Sequence, residues 1–419
     1  MKITILGGGV SGISTAYHLA ELGHDVTVLE RQLESALETS FANGGVVGAT
    51  QIEPWAKAGL PLKILQWLGK DNAPLLFHPS QIRHMWRWGL LFLRNCTEER
   101  FRKASAISWR LTHYSAQSFA VLRARAGISY DLNTSGALKI YLNQQSLDQT
   151  LATFEALRTT GAEFEVLDVA GCVRKEPALR PNAHTLVGGI YFPREEVGDC
   201  RKFTLALAQH CAGRGVTLKY GVTIKGFARS GDRIEAVETD HGSFTADRFV
   251  AAAASHTPLL LRSLGIYVPI CPVKGVTVTV PVDGWEEPVR GGVIDYSRLF
   301  GLMRIGDRLR ISGTAEITGY DKVPSAARCQ ALIDNVLQLF PDFAKCLAAG
   351  PPKLWAGLRG NSPDGPPILG RTPITNLFIN AGHGPQGWST SCGSARVVAD
   401  IVSDRTPEID LSGLTLDRF

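Results

Sequence analysis

The sequence predicts an α/β protein built from two interleaved domains, and three observations carry that reading. Residues 3–31, ITILGGGVSGISTAYHLAELGHDVTVLER, run as an apolar strand, a tight glycine turn, an amphipathic helix, a second apolar strand and an acidic residue. That order is a dinucleotide-binding βαβ unit of Rossmann type. Residues 268–315 contain alternating stretches such as VKGVTVTV and LRISGTAE, which predict a second domain built on a mostly antiparallel sheet plus helices. After that sheet the chain returns to helix, loop, strand and helix, so the nucleotide-binding part is spread along the sequence.

The βαβ glycines fall at Gly7, Gly9 and Gly12, the GxGxxG spacing. Gly7 permits the turn, Gly9 lets a pyrophosphate approach the backbone, and Gly12 lets helix and strand pack closely. The helix beginning near Val10 and Ser11 aims its N–H groups and positive dipole end at phosphates. Glu30, followed by Arg31, closes the second strand. A carboxylate there accepts from a ribose diol and repels a 2′-phosphate, which favours FAD or NAD over NADP. The next stretch (33–63) is rich in Gly, Ala, Ser and Thr without a clear period, as suits a loop wrapped around a cofactor.

Residues 62–127 read as helical, with Ile82, Met85, Trp86, Gly89, Leu90 and Leu93 at three- and four-residue steps and a second amphipathic run over 104–126. Short strands are predicted at 136–141 and 188–192, a helix from Lys202, a strand at 216–220 and a hairpin within 222–244. A buried strand ends in a turn within 246–257, and a helix spans 324–340. A loop, LRGNSPDGPPILGRT, then leads to the strand NLFINAG and a last helix at 391–402. The predicted division gives 1–50, 151–265 and 331–419 to the nucleotide-binding domain and 51–150 and 266–330 to the other.

With 419 residues, 44% of them hydrophobic and 20% charged, the chain can bury a large core. A net charge of +5 is too mild to argue for nucleic acid as a partner. The start, MKITILGGG, enters the fold at once, and no run of 18 apolar residues offers a span, so a cytoplasmic protein without a signal peptide is expected. The eight cysteines show no CxxC pair or zinc spacing, which predicts free, mostly buried thiols and no metal site.

Three further glycine-bearing stretches separate a flavin enzyme from a nicotinamide enzyme. In ETSFANGG (38–45), Thr39, Ser40 and Asn43 beside Gly44 and Gly45 can satisfy diphosphate or ribityl oxygens. The second is AGLRGNSPDGPPILGR (356–371). The third, INAGHGPQGWSTSCGS (379–394), carries Gly382, His383, Gly384, Gly387 and Trp388 into the final helix. A helix N-terminus beneath the pyrimidine end of a flavin stabilises the negative charge that appears there on reduction.

With these motifs in this order over essentially its full length, the chain resembles the FAD-dependent D-amino acid dehydrogenase family, part of the wider D-amino acid oxidase and glycine oxidase group. The resemblance implies non-covalent FAD as cofactor of a Rossmann-type FAD-binding domain, a substrate-binding domain above it, and a small amino acid as substrate. It implies oxidation of a D-α-amino acid to an imino acid, which water converts to the 2-oxo acid and ammonia, with electrons passing to a quinone or another acceptor. It also places Arg359, from the GLR motif, on the substrate carboxylate, where a planar guanidinium suits bidentate pairing. Tyr296 is a candidate to join the carboxylate site. His383 is a candidate to hydrogen-bond the flavin edge or the substrate amine, and Lys274 to face the flavin.

Two positions depart from the family pattern: GLRP is GLRG here (Gly360), and the glycine expected at the end of the strand after TADR is Ala254. These departures keep cyclic or secondary amino acids (D-proline, hydroxy-D-proline, opines) open as substrates. A flavin electron-relay subunit among partner subunits is the rival from another class. Finally, IRHMWRWGLLFLRNC (82–96) crowds Trp and Leu between arginines. It suits a peripheral membrane contact on the inner face, with a buried helix of the second domain as the alternative.

Overall fold

The computed structural model describes residues 1–67 and 75–419. Its first large sheet has six strands in the order Ile368–Arg371, Leu377–Ala381, Arg248–Ala251, Lys2–Leu6, Asp25–Glu30, Thr217–Tyr220. Every pairing is parallel except the outermost, between Ile368–Arg371 and Leu377–Ala381. Parallel strands are covered on both faces, so they read as nearly continuous apolar runs. Ile3, Ile5, Val26, Val28 and Val250 pack on the helices Val10–Glu21, Glu98–Ala126, Cys200–Gly213 and Ser391–Val402. Leu6, Leu29, Phe249 and Ala251 pack beneath the antiparallel meander Ile224–Ser230, Arg233–Thr239, Gly242–Thr245.

The second sheet has nine strands. Eight run in the order Lys353–Asn361, Cys271–Pro281, Arg308–Ile317, Phe300–Ile305, Gly292–Asp295, Ala137–Tyr141, Gly188–Phe192, Glu165–Leu167, and Leu75–Phe77 pairs with the end of Arg308–Ile317. Side chains alternate across it, as the period-two pattern requires. Val276, Val278, Val280, Leu309 and Ile311 form a core with the helices Ala326–Leu339 and Phe343–Ala349. Gly275, Thr277, Ser312 and Thr314 face the other way, into a cavity.

The strand pairings regroup parts of the predicted division. Glu165–Leu167, Gly188–Phe192 and Lys353–Asn361 pair in the nine-stranded sheet, although they lie in segments grouped above with the nucleotide-binding part. The stretch expected as a loop, LRGNSPDGPPILGRT, begins inside Lys353–Asn361 and contains Ile368–Arg371. Within the span expected as helical, Leu75–Phe77 is a strand, and residues 68–74 lie outside the described residues.

The 29-residue helix Glu98–Ala126 has the signals its ends require. Thr97 accepts the Arg100 N–H, Glu98 and Glu99 meet the positive end of the dipole, and Gly127 closes the helix at φ +62°. Helix Ile82–Asn95 turns Met85 and Trp88 onto the second sheet, where the Trp88 indole donates to the Asn361 carbonyl at 2.9 Å. Its other face leaves Trp86, Leu90 and Leu93 at least half exposed. Among the described residues no helix is long and apolar enough to cross a membrane. All eight cysteines are free thiols and seven are buried.

Candidate active site

A cavity of about 1020 Å³ lies where the carboxyl ends of the parallel strands meet the polar face of the second sheet. Ligands bind at that edge of open α/β sheets because strands end and helices begin there. All of the cofactor-binding residues expected from the sequence line the cavity except Gly12. Gly12 acts through packing instead. A Cβ there would stand 2.0 Å from the Gly7 carbonyl oxygen, so only glycine lets the first helix sit against the turn.

At the nucleotide end, Gly9 is the helix N-cap and brings no capping side chain, and the Val10 N–H donates to the Ser40 hydroxyl at 3.1 Å. Glu30 is buried and accepts the Gly8 N–H at 2.6 Å and the Gln32 N–H at 2.8 Å, one on each oxygen, which fixes its carboxylate at the cavity wall. Arg31 is paired with Glu38 at 2.5 Å. The 38–45 loop is stapled to the second sheet: Thr39 donates to the Leu358 carbonyl at 2.8 Å, Thr277 to Ala42 at 3.0 Å, and Arg310 to Asn43 at 3.1 Å. The Asn43 side chain accepts the Gly45 N–H at 3.1 Å, so part of its capacity is spent shaping its own turn.

Arg359 reaches the cavity from the strand Lys353–Asn361 and rests on the backbone of Gly275, where a Cβ would come within 2.0 Å of its Nη1. The guanidinium donates to the Thr314 carbonyl at 3.0 Å, and no carboxylate pairs with it among the described residues. Burial pulls it down to about 10, so it remains a cation at neutral pH. A guanidinium held without a counter-ion at a cavity wall is a site for an anion.

The structure redirects two other candidates. His383 lies at the wall, but both ring nitrogens are engaged, Nε2 with Asn380 Oδ1 at 3.0 Å and Nδ1 with the Thr390 hydroxyl at 2.9 Å. Asn380 is itself oriented by its side-chain N–H, which donates to the Thr15 hydroxyl at 3.0 Å and leaves Oδ1 toward the ring. Burial pulls His383 down to about 4. The ring is a neutral tie between the last strand and the last helix, with no nitrogen left for the flavin edge or the substrate amine. Lys274 is pulled away from the cavity by Asp321 at 2.6 Å and Glu316 at 3.3 Å.

Tyr296 does line the cavity, and its hydroxyl accepts from Lys57 at 2.7 Å. Around it stands a cluster absent from the sequence-derived site. Glu53 bridges Lys57 at 2.8 Å and Lys139 at 2.7 Å. Although burial pushes the Glu53 carboxyl up, Lys139 and Lys57 hold it down at about 2. The available signal was Lys139, a charge inside the apolar strand ALKIY.

The two departures from the family pattern touch. Ala254 has a left-handed backbone at φ +47°, and a Cβ at Gly360 would stand 3.0 Å from the Ser255 nitrogen and 3.3 Å from the Ala254 carbonyl carbon. The absent side chain at 360 thus leaves room for the turn at 254. Ala254→Gly is expected to stabilise the protein by about 1 kcal/mol by relieving the left-handed alanine. Thermal unfolding checks this, and a lower melting temperature would reject it.

The chain belongs to the FAD dependent oxidoreductase family, which it matches over residues 2–401. It is 44% identical over 419 residues to the D-amino acid dehydrogenase of Allorhizobium ampelinum, covering 100% of this chain and 99% of that protein. It is also 44% identical to the D-amino acid dehydrogenase of Rhizobium rhizogenes, over 100% of both. Its fold is similar to glycine oxidase from Geobacillus kaustophilus, with a TM-score of 0.78 and 22% identity over 100% of this chain and 98% of that one. L-Proline dehydrogenase from P. horikoshii also gives a TM-score of 0.78, at 18% identity over 100% and 97% of the two chains.

The protein is an FAD-dependent oxidoreductase, and its cavity fits that cofactor. The glycine turn and helix suit a pyrophosphate, and Glu30 suits a ribose diol. The buried Trp388 indole N–H meets no acceptor among the described residues, which leaves a donor for the cofactor.

Proposed function

We propose that the protein oxidises the Cα–N bond of a small D-amino acid to an imino acid, which water converts to the 2-oxo acid and ammonia. The observation that carries this reading is Arg359, a cation on the wall of a cofactor-sized cavity with no protein carboxylate as its partner among the described residues. The names of the relatives at 44% identity support the D configuration.

In this reading the six-stranded layer holds the cofactor and the nine-stranded layer holds the substrate. FAD, when bound, supplies a two-electron acceptor for the hydride leaving Cα. The chain's part is placement. Arg359 grips the α-carboxylate in a fork-to-fork pair, and Gly275 and the Thr314 carbonyl fix the guanidinium from behind. His383 keeps the last strand and helix in register without taking a proton. In this reading the substrate amine reaches the site already neutral.

Anaerobic mixing of the holoenzyme with D- and L-amino acids, prolines and opines tests the proposal. D-Alanine or another D-amino acid is expected to bleach the flavin, while its L enantiomer leaves it oxidised. Bleaching by none of the panel would reject the reading and favour an electron-relay subunit.

We infer further that electrons leave to a quinone and that helix Ile82–Asn95 rests on the inner face of an anionic bilayer. Trp86, Leu90 and Leu93 form an exposed apolar stripe, with Arg83, Arg87 and Arg94 exposed beside it. The holoenzyme is expected to sediment with anionic vesicles at low salt and to lose that binding on Trp86→Ser/Leu90→Ser. A protein that stays wholly in the supernatant would reject the contact.

A further inference from the structure

At the Tyr296 wall of the cavity, two ammonium groups share one carboxylate. Glu53 commits one oxygen to Lys57 and the other to Lys139. Asp295 is likewise spent, accepting the Ser297 and Arg298 backbone N–H groups at 2.9 and 2.8 Å and pairing with the Arg298 guanidinium at 2.7 Å. Glu195 faces the Ala49 N–H, the Thr50 N–H at 3.1 Å and the Thr50 hydroxyl at 3.1 Å. Burial pushes the Glu195 carboxyl up to about 7, so near neutrality it offsets only part of the excess positive charge. A partly dehydrated wall with surplus cation is stabilised when an anion arrives.

Donor accounting singles out one lysine. Lys139 gives one N–H to Glu53 and one to the Thr50 carbonyl at 3.4 Å, and its side chain is only 2% exposed. Lys57 gives one N–H to Glu53 and one to Tyr296, and with 35% of its side chain exposed it has a third donor for the cavity. Because the Tyr296 oxygen accepts from Lys57, its own proton is available to a further acceptor. The phenol is fixed beside both cations, its ring centroid 4.6 Å from Lys139 Nζ and 5.4 Å from Lys57 Nζ.

We propose that Lys57 and Tyr296 form a second anion subsite, which takes the side-chain carboxylate of a dicarboxylic amino acid whose α-carboxylate is held by Arg359. This inference rests on the role proposed above for Arg359. The subsite uses a different wall from the Gly7–Gly12 turn that serves a pyrophosphate. It makes D-aspartate and D-glutamate the favoured class of substrate over their uncharged isosteres. An amide of the same shape offers Lys57 an acceptor without the charge, so the pair of compounds isolates the electrostatic part.

The test compares kcat/KM of the holoenzyme, with a dye acceptor at low ionic strength, for D-glutamate against D-glutamine and D-aspartate against D-asparagine. The acid is expected to be preferred by about ten-fold or more in at least one pair, as a charge-assisted hydrogen bond predicts. Lys57→Met is expected to bring that ratio to about one, and Lys57→Arg to keep most of it. Equal or better use of both amides by the wild-type enzyme, with D-alanine still oxidised, overturns the subsite and leaves the D-amino acid reading standing. The same holds for a ratio that survives Lys57→Met. Failure of every amino acid, D-alanine included, overturns both. The wild-type ratio decides the matter even where a variant does not fold.

Discussion

Arg359→Ala is expected to lower kcat/KM for amino acids by a factor on the order of 10³ while the enzyme keeps its full complement of FAD. The size follows from removing one partner of a desolvated, hydrogen-bonded charge pair, a change worth about 2–5 kcal/mol, together with lost alignment of Cα. Arg359 hydrogen-bonds only a backbone carbonyl among the described residues, so its loss breaks no internal ion pair and the fold is expected to survive. Most of the effect should appear in KM. Arg359→Lys should recover only a part, since an ammonium cannot grip a carboxylate as a planar fork does. Steady-state kinetics alongside the flavin spectrum checks this, and unchanged kinetics would remove Arg359 from the substrate site.

Gly12→Ala is expected to abolish stable FAD binding. The added methyl would stand 2.0 Å from the Gly7 oxygen, and the obstacle is backbone that cannot rotate aside. The helix must lift from the strand, which costs about 3 kcal/mol or more and shifts the first-turn N–H groups away from the phosphates. The purified variant should be colourless, and added FAD should not raise its melting temperature. A yellow protein with a full flavin content would show that the contact relaxes harmlessly. The contrast between the two variants is informative: one spares the cofactor and loses the substrate, and the other loses the cofactor first.

The parts of the fold that were legible in the sequence are those set by local rules. The opening strand, turn and helix show their periods and glycine spacing, and the helix Ser391–Val402 follows from its own apolar periodicity. What escaped was pairing between distant segments. Leu75–Phe77 is three residues long and gains its strand character only beside Arg308–Ile317. Lys353–Asn361 carries two glycines and an arginine, which weakens any strand signal, and it is ordered by nine residues of register with Cys271–Pro281.

The site divides in the same way. The glycine loops and Arg359 were readable as motifs. The engagement of His383 was hidden because it depends on Asn380 and Thr390 closing around the ring in space. The Glu53–Lys57–Lys139 cluster joins a loop to a strand far along the chain, and no spacing rule announces it.

The seat of Arg359 on bare backbone bears on how such an enzyme changes over generations. Its guanidinium rests on the main chain of Gly275 and donates to the carbonyl of Thr314, both backbone contacts. On the role proposed for Arg359, the end of the substrate common to every amino acid would be fastened to the sheet itself, and the end that differs would meet replaceable side chains. Exchange of those side chains can alter what is accepted while the distance from carboxylate to reacting carbon stays constant. Diversity of diet and constancy of chemistry would thus fall to different kinds of atoms.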